Sequence, residues 1–137
     1  MALVTKRLRV QLKRAYAPPS PEDGVRVLVD RLWPRGLRKS EARINRWVKD
    51  VAPSAELRRW FGHDSNRWVE FCRRYKTELA DKTELLGELQ AMARTNKLTL
   101  VFAARDELHN EAVVLRDVLT KVYSVKDAER DESEPCG

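Results

Sequence analysis

The sequence predicts a single small α/β domain in which helices flank a largely parallel sheet and the first strand lies at an edge. Two continuous apolar segments, one starting at Val25 and the other at residues 98–104, are typical of strands covered on both faces. Segments with helical periodicity lie between them, as in proteins whose neighbouring strands are parallel. The length of 137 residues suits one hydrophobic core. We therefore assign residues 1–125 to one domain.

The first strand is predicted around Leu8, Val10 and Leu12, because these residues alternate with basic and polar ones, as in a strand with one buried face. The following segment, APPSPEDG at residues 17–24, contains three prolines and a glycine and is predicted to be a loop. The second strand starts at Val25 and must end before the Pro-x-Gly sequence at residues 34–36.

Two short helices are predicted next. Ser40 is a suitable N-cap for the first helix. Its apolar face is predicted to contain Ile44, Trp47 and Val48. Pro53 and Ser54 open the second helix, and Gly62 is placed to end it.

Three longer helices complete the predicted elements. The first follows a cap at Asp64 or Ser65, and the second lies after Thr83 and ends near Asn96. The apolar face of the first contains Trp68, Phe71, Cys72, Tyr75 and Leu79. The apolar face of the last helix is predicted to contain Leu108, Ala112, Leu115, Leu119 and Val122.

The charge distribution favours anionic partners. The net charge is +6, but residues 1–60 hold 15 basic and 6 acidic residues, so the positive charge is concentrated in the N-terminal half. Such a field favours phosphorylated small molecules or nucleic acid. Residues 126–137 are acidic and lack large apolar side chains, so we predict a disordered tail there.

Several classes of protein are not indicated. No apolar run approaches the roughly 20 residues of a membrane-spanning helix, and the N-terminus lacks the apolar region of a secretory signal, so we expect a cytoplasmic protein without a membrane partner. Cys72 and Cys136 are isolated, and no metal-ligand spacing is present. Phosphate-loop and dinucleotide-binding motifs are also absent from the sequence, so no cofactor is expected.

Charged residues follow both apolar strands. Asp30 and Arg31 end the first of them, and Arg105 and Asp106 end the second. In parallel sheets, ligands bind beyond the carboxyl ends of the strands. The sequence therefore predicts one pocket that contains both groups.

The segment DRLWPRGLRKSE, at residues 30–41, contains the candidate anion-binding residues. Arg31, Arg35 and Lys39 could hold a phosphate, because guanidinium and ammonium groups pair with its oxygens, and Ser40 would add the N-terminus of a helix. Trp33 is the candidate for stacking against a base. In the alternative interpretation Trp33 belongs to the core, Arg31 pairs with an acid, and the other cations form a solvated loop.

The candidates for catalysis are Asp30, Arg105, Asp106 and His109. Asp30 could be a general base or could neutralise Arg31 or Arg105. His109 could transfer protons near neutral pH. Alternatively, Asn110 or Asp106 caps the last helix and leaves His109 exposed in its first turn.

The sequence resembles a known family in four blocks. These are VLVDRLWPRGLRKSEA, WVKDVAPSAELRRWFGHD, RW-x-x-F-x-x-x-Y-x-x-EL and TLVFAARDELHNEAVVLRDVL. Over roughly residues 6–122 they resemble the YeaO-like branch of the domain-of-unknown-function 488 family. The resemblance implies a compact α/β fold.

The resemblance does not imply a thiol-based mechanism. A sister branch carries a Cys-rich segment that ends in Cys-His-Arg where this chain has ELHN. His109 matches that histidine, but Leu108 and Asn110 stand beside it. Two functions therefore stay open: binding of an anionic small molecule at the two strand ends, with or without catalysis, or nucleic-acid binding by the basic N-terminal half.

Overall fold

A computed structural model describes residues 8–121, which form a four-stranded, wholly parallel sheet with helices packed around it. The strands are β1 (Val10–Arg14), β2 (Val25–Leu28), β3 (Arg46–Trp47) and β4 (Leu98–Phe102), in the order β1-β4-β2-β3. All three strand pairs are parallel, and β1 lies at an edge. The predicted fold class is confirmed.

The two predicted apolar strands are neighbours at the centre of the sheet. Leu100 of β4 is in register with Val27 of β2 on one side and with Leu12 of β1 on the other. Both central strands are buried on both faces: Val27 and Leu100 belong to the main core, whereas Leu28 and Val101 face a smaller cluster with Trp33 and Trp47. The carboxyl ends of β2 and β4 therefore lie side by side at one edge.

Five helices are present in the described part of the chain. They are α1 (Lys39–Ala42), α2 (Ala55–Phe61), α3 (Trp68–Leu79), α4 (Thr83–Thr95) and α5 (Glu111–Thr120). Ser54 caps α2 by accepting a hydrogen bond from the N–H of Leu57, and Gly62 ends it in the left-handed conformation, as predicted. Asp64 caps a single 3-10 turn, Ser65–Arg67, which leads directly into α3.

The long helices confirm most of the predicted apolar faces. Every predicted core residue of α3 is buried. The last helix begins after Asn110, whose side chain accepts hydrogen bonds from the N–H groups of Ala112 and Val113. The prediction that Leu108 is part of its buried face is wrong, because Leu108 precedes this cap and is 73% exposed. Val122 and the predicted tail at residues 126–137 lie outside the described residues.

The predicted helix with an N-cap at Ser40 is also wrong. Helix α1 begins at Lys39 with Arg38 as its N-cap, two residues before the predicted cap, and Arg43 ends it in the left-handed conformation with φ 51°. The side chain of Asn45 then accepts a hydrogen bond from the N–H of Arg26, and its own N–H donates to the carbonyl oxygen of Arg26, each over 2.8 Å. These bonds start the pairing of β3 with β2, so Trp47 lies on a strand.

A buried ion pair lies near the amino end of β2. Asp23 and Arg26 are 2% and 3% exposed, and the Arg26 guanidinium donates to Asp23 over 2.6 Å. Lys13 and Gln11 of β1 also donate to Asp23. This network joins the edge strand to the centre of the sheet at the side opposite the strand ends discussed below. None of the helices within residues 8–121 is both long and apolar enough to cross a membrane.

Candidate functional site

A cavity of about 740 Å³ lies at the carboxyl edge of the sheet. Its walls come from the loop after β2, the loop after β4, and α2 with the turn that follows it. The polar and charged residues that line it are Asp30, Arg31, Arg35, Arg58, His63, Arg105, Asp106, His109, Asn110 and Glu111. Aromatic side chains, Trp33, Phe61 and Phe71, form part of the wall.

Most of the candidate residues from the sequence lie in this cavity. Those that line it are Asp30, Arg31, Trp33, Arg35, Arg105, Asp106 and His109. Lys39 and Ser40 are not among the lining residues; both are exposed on α1, and Ser40 borders a separate, open depression beside Arg26 and Asn45. The structure thus brings the charged residues that follow β2 and β4 together in one cavity. The basic segment is split: Arg31 and Arg35 line the cavity, whereas Lys39 lies on the outer surface.

Asp30 connects the two strand ends. Its Oδ2 accepts a hydrogen bond from the backbone N–H of Ala103 over 2.9 Å, and its carbonyl oxygen accepts one from the Trp47 indole over 2.7 Å. Within residues 8–121, no ion pair joins Asp30 to an arginine, so the expectation that it neutralises Arg31 or Arg105 is wrong.

The partner of Asp30 is a second carboxyl group. Burial, together with the hydrogen bond to Asp30 and the charge of that residue, raises the pKa of Glu111 well above its usual 4.5. Two carboxyl groups can hydrogen-bond to each other only if one of them carries a proton. Asp30 and Glu111, the first residue of α5, therefore form a carboxyl pair in which the raised pKa favours the protonated form of Glu111.

The cavity has an excess of positive charge. Four arginines line it, namely Arg31, Arg35, Arg58 and Arg105, together with three carboxyl groups, namely Asp30, Asp106 and Glu111. Because the pKa of Glu111 is raised, its carboxyl group opposes the arginines less than an ordinary glutamate would. The guanidinium of Arg31 donates weakly to the carbonyl oxygen of Pro53 over 3.4 Å, and its Nε is buried without a partner among the described residues. Arg35, Arg58 and Arg105 are exposed.

Asp106 organises the loop before α5. Its Oδ1 accepts hydrogen bonds from the N–H groups of Leu108 and His109, and its Oδ2 lies 2.9 Å from Nδ1 of His109. The hydrogen bond with His109 is the main reason why the pKa of Asp106 is below its usual value. The His109 ring packs edge-on against Trp68, with the ring centres 5.1 Å apart. This geometry holds the imidazole in one orientation at the wall of the cavity.

Trp33 has a structural role in addition to any ligand contact. Its indole N–H donates to the carbonyl oxygen of Leu37 over 2.6 Å, and its ring packs edge-on against Trp47. The side chain is partly buried and still lines the cavity. The interpretation of Trp33 as part of a core cluster is therefore correct, and stacking on a ligand stays a prediction.

Among the arginines and carboxylic acids that line the cavity, Arg58 and Glu111 were not candidates from the sequence. Arg58 is placed by α2, four residues after the Ser54 cap, and its charge acts on Glu111 from across the cavity. Glu111 follows the Asn110 cap. The signal available for Glu111 was its place at the start of the helix that follows β4, because such helix starts lie near the carboxyl edge of a parallel sheet.

This fold and cavity define a small parallel α/β protein with a polar, arginine-rich pocket at the carboxyl edge of its sheet. The family model described as "Inactive DUF488-N3 subclade" matches residues 9–137. The chain belongs to this family, the YeaO-like DUF488 proteins.

Individual relatives support the same assignment. The chain is similar to the uncharacterised protein Rv3073c of Mycobacterium tuberculosis (strain ATCC 25618 / H37Rv), with 43% identity over 116 residues, which covers 85% of this chain and 98% of the relative. It is also similar to the uncharacterised protein YeaO of Escherichia coli (strain K12), with 38% identity over 112 residues, or 82% and 97% of the two chains. No solved structure matches the chain significantly.

Proposed function

We propose that this protein binds an anionic, phosphate-bearing small molecule in the cavity at the carboxyl ends of β2 and β4. The observation that carries the proposal is the presence of four arginines in the lining of one cavity, beside a glutamate whose pKa is raised. A carboxyl pair that holds a proton repels an anion less than two carboxylates would. The arginines in the lining therefore favour an anion over a neutral or cationic ligand.

The size and composition of the cavity agree with a small ligand. Pockets for small molecules commonly measure about 300–1,000 Å³ and combine apolar walls with a few polar groups. The cavity of about 740 Å³ falls in this range, and Phe61 and Phe71 contribute apolar wall. The positive N-terminus of α5 also borders it.

Binding without turnover is the form of the proposal that we favour. The matching family model is described as inactive, and the chain has no cysteine in the loop before α5. Asp30, Arg105, Asp106 and His109 are therefore proposed as ligand-binding or positioning residues first, with catalysis as the further possibility. A cytoplasmic location is part of the same proposal.

Isothermal titration calorimetry with inorganic phosphate and a set of phosphate monoesters tests this proposal. We expect Arg58→Ala to weaken binding at least tenfold, because Arg58 lines the cavity. The matched control is Arg59→Ala on the same helix, since Arg59 is exposed and is not a lining residue. Equal affinities in the two variants, or no binding of any phosphate compound by the unmodified protein, would refute the proposal.

A second candidate function is nucleic-acid binding by the outer surface of residues 35–49. This segment has one acidic residue, Glu41, and its cationic side chains are all exposed: Arg35, Arg38, Lys39, Arg43, Arg46 and Lys49. Lys49 also lies over the ring of Trp47. Such a segment can contact a phosphate backbone without any pocket.

The two functions differ in which residues matter. If the segment at residues 35–49 binds duplex DNA, Lys39→Ala and Arg43→Ala weaken binding in fluorescence anisotropy, the affinity falls steeply with salt, and Arg58→Ala has little effect. If DNA does not bind at low salt, or binds equally well to all three variants, this candidate is excluded.

A further inference from the structure

Two buried polar atoms in the wall of the cavity have no hydrogen-bond partner within residues 8–121. They are Nε of Arg31 and Oε2 of Glu111. Buried polar groups in folded proteins are nearly always paired, so each unpaired atom calls for an explanation. Both atoms belong to residues that line the same cavity, so we look for one explanation that applies to both.

One of the two atoms is a hydrogen-bond donor and the other is an acceptor. Arg31 is always protonated, so its Nε–H is a donor. Oε2 of Glu111 has no partner, so a hydrogen bond between Glu111 and Asp30 uses the other oxygen of Glu111, and Oδ2 of Asp30 already accepts from the N–H of Ala103. Oε2 of Glu111 is thus left as an acceptor. A ligand that satisfies both atoms must supply an acceptor for the first and a donor for the second.

We propose that the anion bound in this cavity is a polyhydroxylated one, such as a sugar phosphate, whose hydroxyl groups donate to Glu111 and accept from Arg31. The inference rests on the proposed function and names the class of its ligand. A hydroxyl group is both a donor and an acceptor, whereas a fully ionised phosphate only accepts. The phosphate remains the partner of the exposed arginines, Arg35, Arg58 and Arg105.

The exposure of the lining residues agrees with a ligand whose phosphate and sugar ring contact different parts of the cavity. Arg35 and Arg105 are exposed, whereas Nε of Arg31 and Oε2 of Glu111 are buried. The phosphate then stays near the solvent and the sugar ring extends inward along the apolar wall. Both unpaired atoms are shielded from solvent, so the proposed ligand would reach them after a small side-chain rotation. The last torsion of a glutamate has a broad energy profile, which permits this movement.

Calorimetry on the full chain, with phosphate monoesters that differ in their hydroxyl groups, tests the inference. The probes are ribose 5-phosphate, glucose 6-phosphate, glycerol 3-phosphate and methyl phosphate, the last of which has the same charged group and no hydroxyl on its carbon. We expect at least one polyhydroxylated ester to bind tenfold or more tightly than methyl phosphate. This comparison needs no variant and does not depend on how a substituted protein folds.

Two variants test which residue causes the preference for a polyhydroxylated ester. Glu111→Ala is expected to bring the polyhydroxylated ester to within about threefold of methyl phosphate, which corresponds to the loss of one or two hydrogen bonds. Arg58→Ala is expected to weaken both kinds of ester by the same factor. If all esters bind the unmodified protein equally, the inference is overturned and the proposed function stands. If none of them binds, and inorganic phosphate does not bind either, both are overturned.

Discussion

Asp30 accepts a hydrogen bond from the backbone N–H of Ala103 over 2.9 Å, although the two residues are 73 positions apart in the chain. Asp30 follows β2 and Ala103 follows β4, so this bond connects the tips of the two central strands directly. It holds the two loops that form opposite walls of the cavity. The side chain of Asp30 is thus a structural part of the site whatever ligand occupies it.

We predict that Asp30→Ala lowers the free energy of unfolding by about 1–3 kcal/mol, because the N–H of Ala103 loses its acceptor. Asp30→Asn should cost much less, since an amide oxygen can accept the same hydrogen bond and the amide N–H can donate to Glu111. Urea denaturation of the two variants at neutral pH measures the difference. Equal losses would show that the charge of Asp30, rather than this hydrogen bond, is what stabilises the loops.

The sequence allowed correct predictions of features that depend on a single helix or strand. The helical spacing of Trp68, Phe71 and Tyr75 and the capping residues Ser54 and Asn110 all led to correct elements. These features depend on local geometry and on which face meets the core. The pairing of the strand ends followed from a general rule of parallel sheets.

Features that depend on distant partners were not predicted. Strand β3 is only two residues long, and it forms because Asn45 hydrogen-bonds to Arg26 rather than because of any alternation in its own sequence. Glu111 occupies the first turn of a helix, where a glutamate is ordinary and exposed in most proteins. Its burial follows from the approach of Asp30 after folding, and no local pattern encodes that contact.

We predict that Glu111→Gln changes how stability depends on pH. Burial and Asp30 raise the pKa of Glu111, so the folded protein holds this proton more tightly than the unfolded chain does. The resulting stabilisation is complete below the unfolded pKa of about 4.5 and is lost as the pH rises through the folded value. The Arg58 charge opposes the shift, and Tyr75 also interacts electrostatically with Glu111.

The free energy of unfolding, measured by urea denaturation from pH 5 to pH 9, tests this prediction. The unmodified protein should lose stability relative to Glu111→Gln as the pH increases, since the glutamine cannot ionise. Glu107→Gln is the control, because Glu107 is exposed in the loop before α5. Parallel curves for the unmodified protein and Glu111→Gln would contradict a raised pKa for Glu111.

The contribution of Asp23 to stability should depend on pH in the opposite sense to that of Glu111. Burial acts to raise its pKa, but the hydrogen bonds from the N–H of Ser20 and from Lys13 and Arg26 outweigh burial and lower its pKa from 3.8 to about 2. The stabilisation is therefore present above the unfolded pKa and is lost as the pH falls from about 4 to about 2. Its size is about 2 kcal/mol, since one pKa unit corresponds to about 1.4 kcal/mol.

Acid titration of the unfolding free energy checks this value. Asp23→Asn removes the carboxylate and should lose this part of the acid dependence, although it also destabilises the protein by roughly 3–5 kcal/mol at neutral pH, because Arg26 keeps a buried charge without a counter-ion. Asp81→Asn, on the surface between α3 and α4, should leave both quantities unchanged. An unaltered acid profile in Asp23→Asn would assign the effect to other carboxylates.

Gly24 and Gly36 both have positive φ angles, 66° and 76°, but only one of them is also sterically confined. A Cβ atom on Gly24 would lie 2.2 Å from the carbonyl oxygen of Lys97, whereas a Cβ atom on Gly36 would meet nothing within 4 Å. We predict that Gly24→Ala costs roughly 2–5 kcal/mol through strain and overlap. Gly36→Ala should cost about 1–2 kcal/mol from the backbone conformation alone. Thermal and urea unfolding compare the two, and similar losses would rule out the overlap with Lys97 as the main cause.

The last prediction concerns how the fold holds Arg58 at the cavity. The backbone N–H of Ser54 donates to Oε1 of Glu78 over 2.8 Å, and its hydroxyl donates to Oε2 over 2.6 Å. Glu78 belongs to α3 and Ser54 caps α2, so these two bonds fix the start of the helix that carries Arg58. Glu78→Ala should reduce the free energy of unfolding by about 2 kcal/mol, because two donors lose a charged acceptor.

If the cavity binds phosphate esters, Glu78→Ala should also weaken their binding severalfold, although Glu78 is not among the lining residues. The matched control is Glu70→Ala on the same helix, where the exposed Glu70 pairs only with Arg73 and Arg74 among the described residues. This control should leave both the stability and the affinity nearly unchanged, because ion pairs at the surface contribute little. Calorimetric titration of both variants separates the two effects: a loss of stability in Glu78→Ala without a loss of affinity would mean that Arg58 reaches the ligand independently of the position of α2.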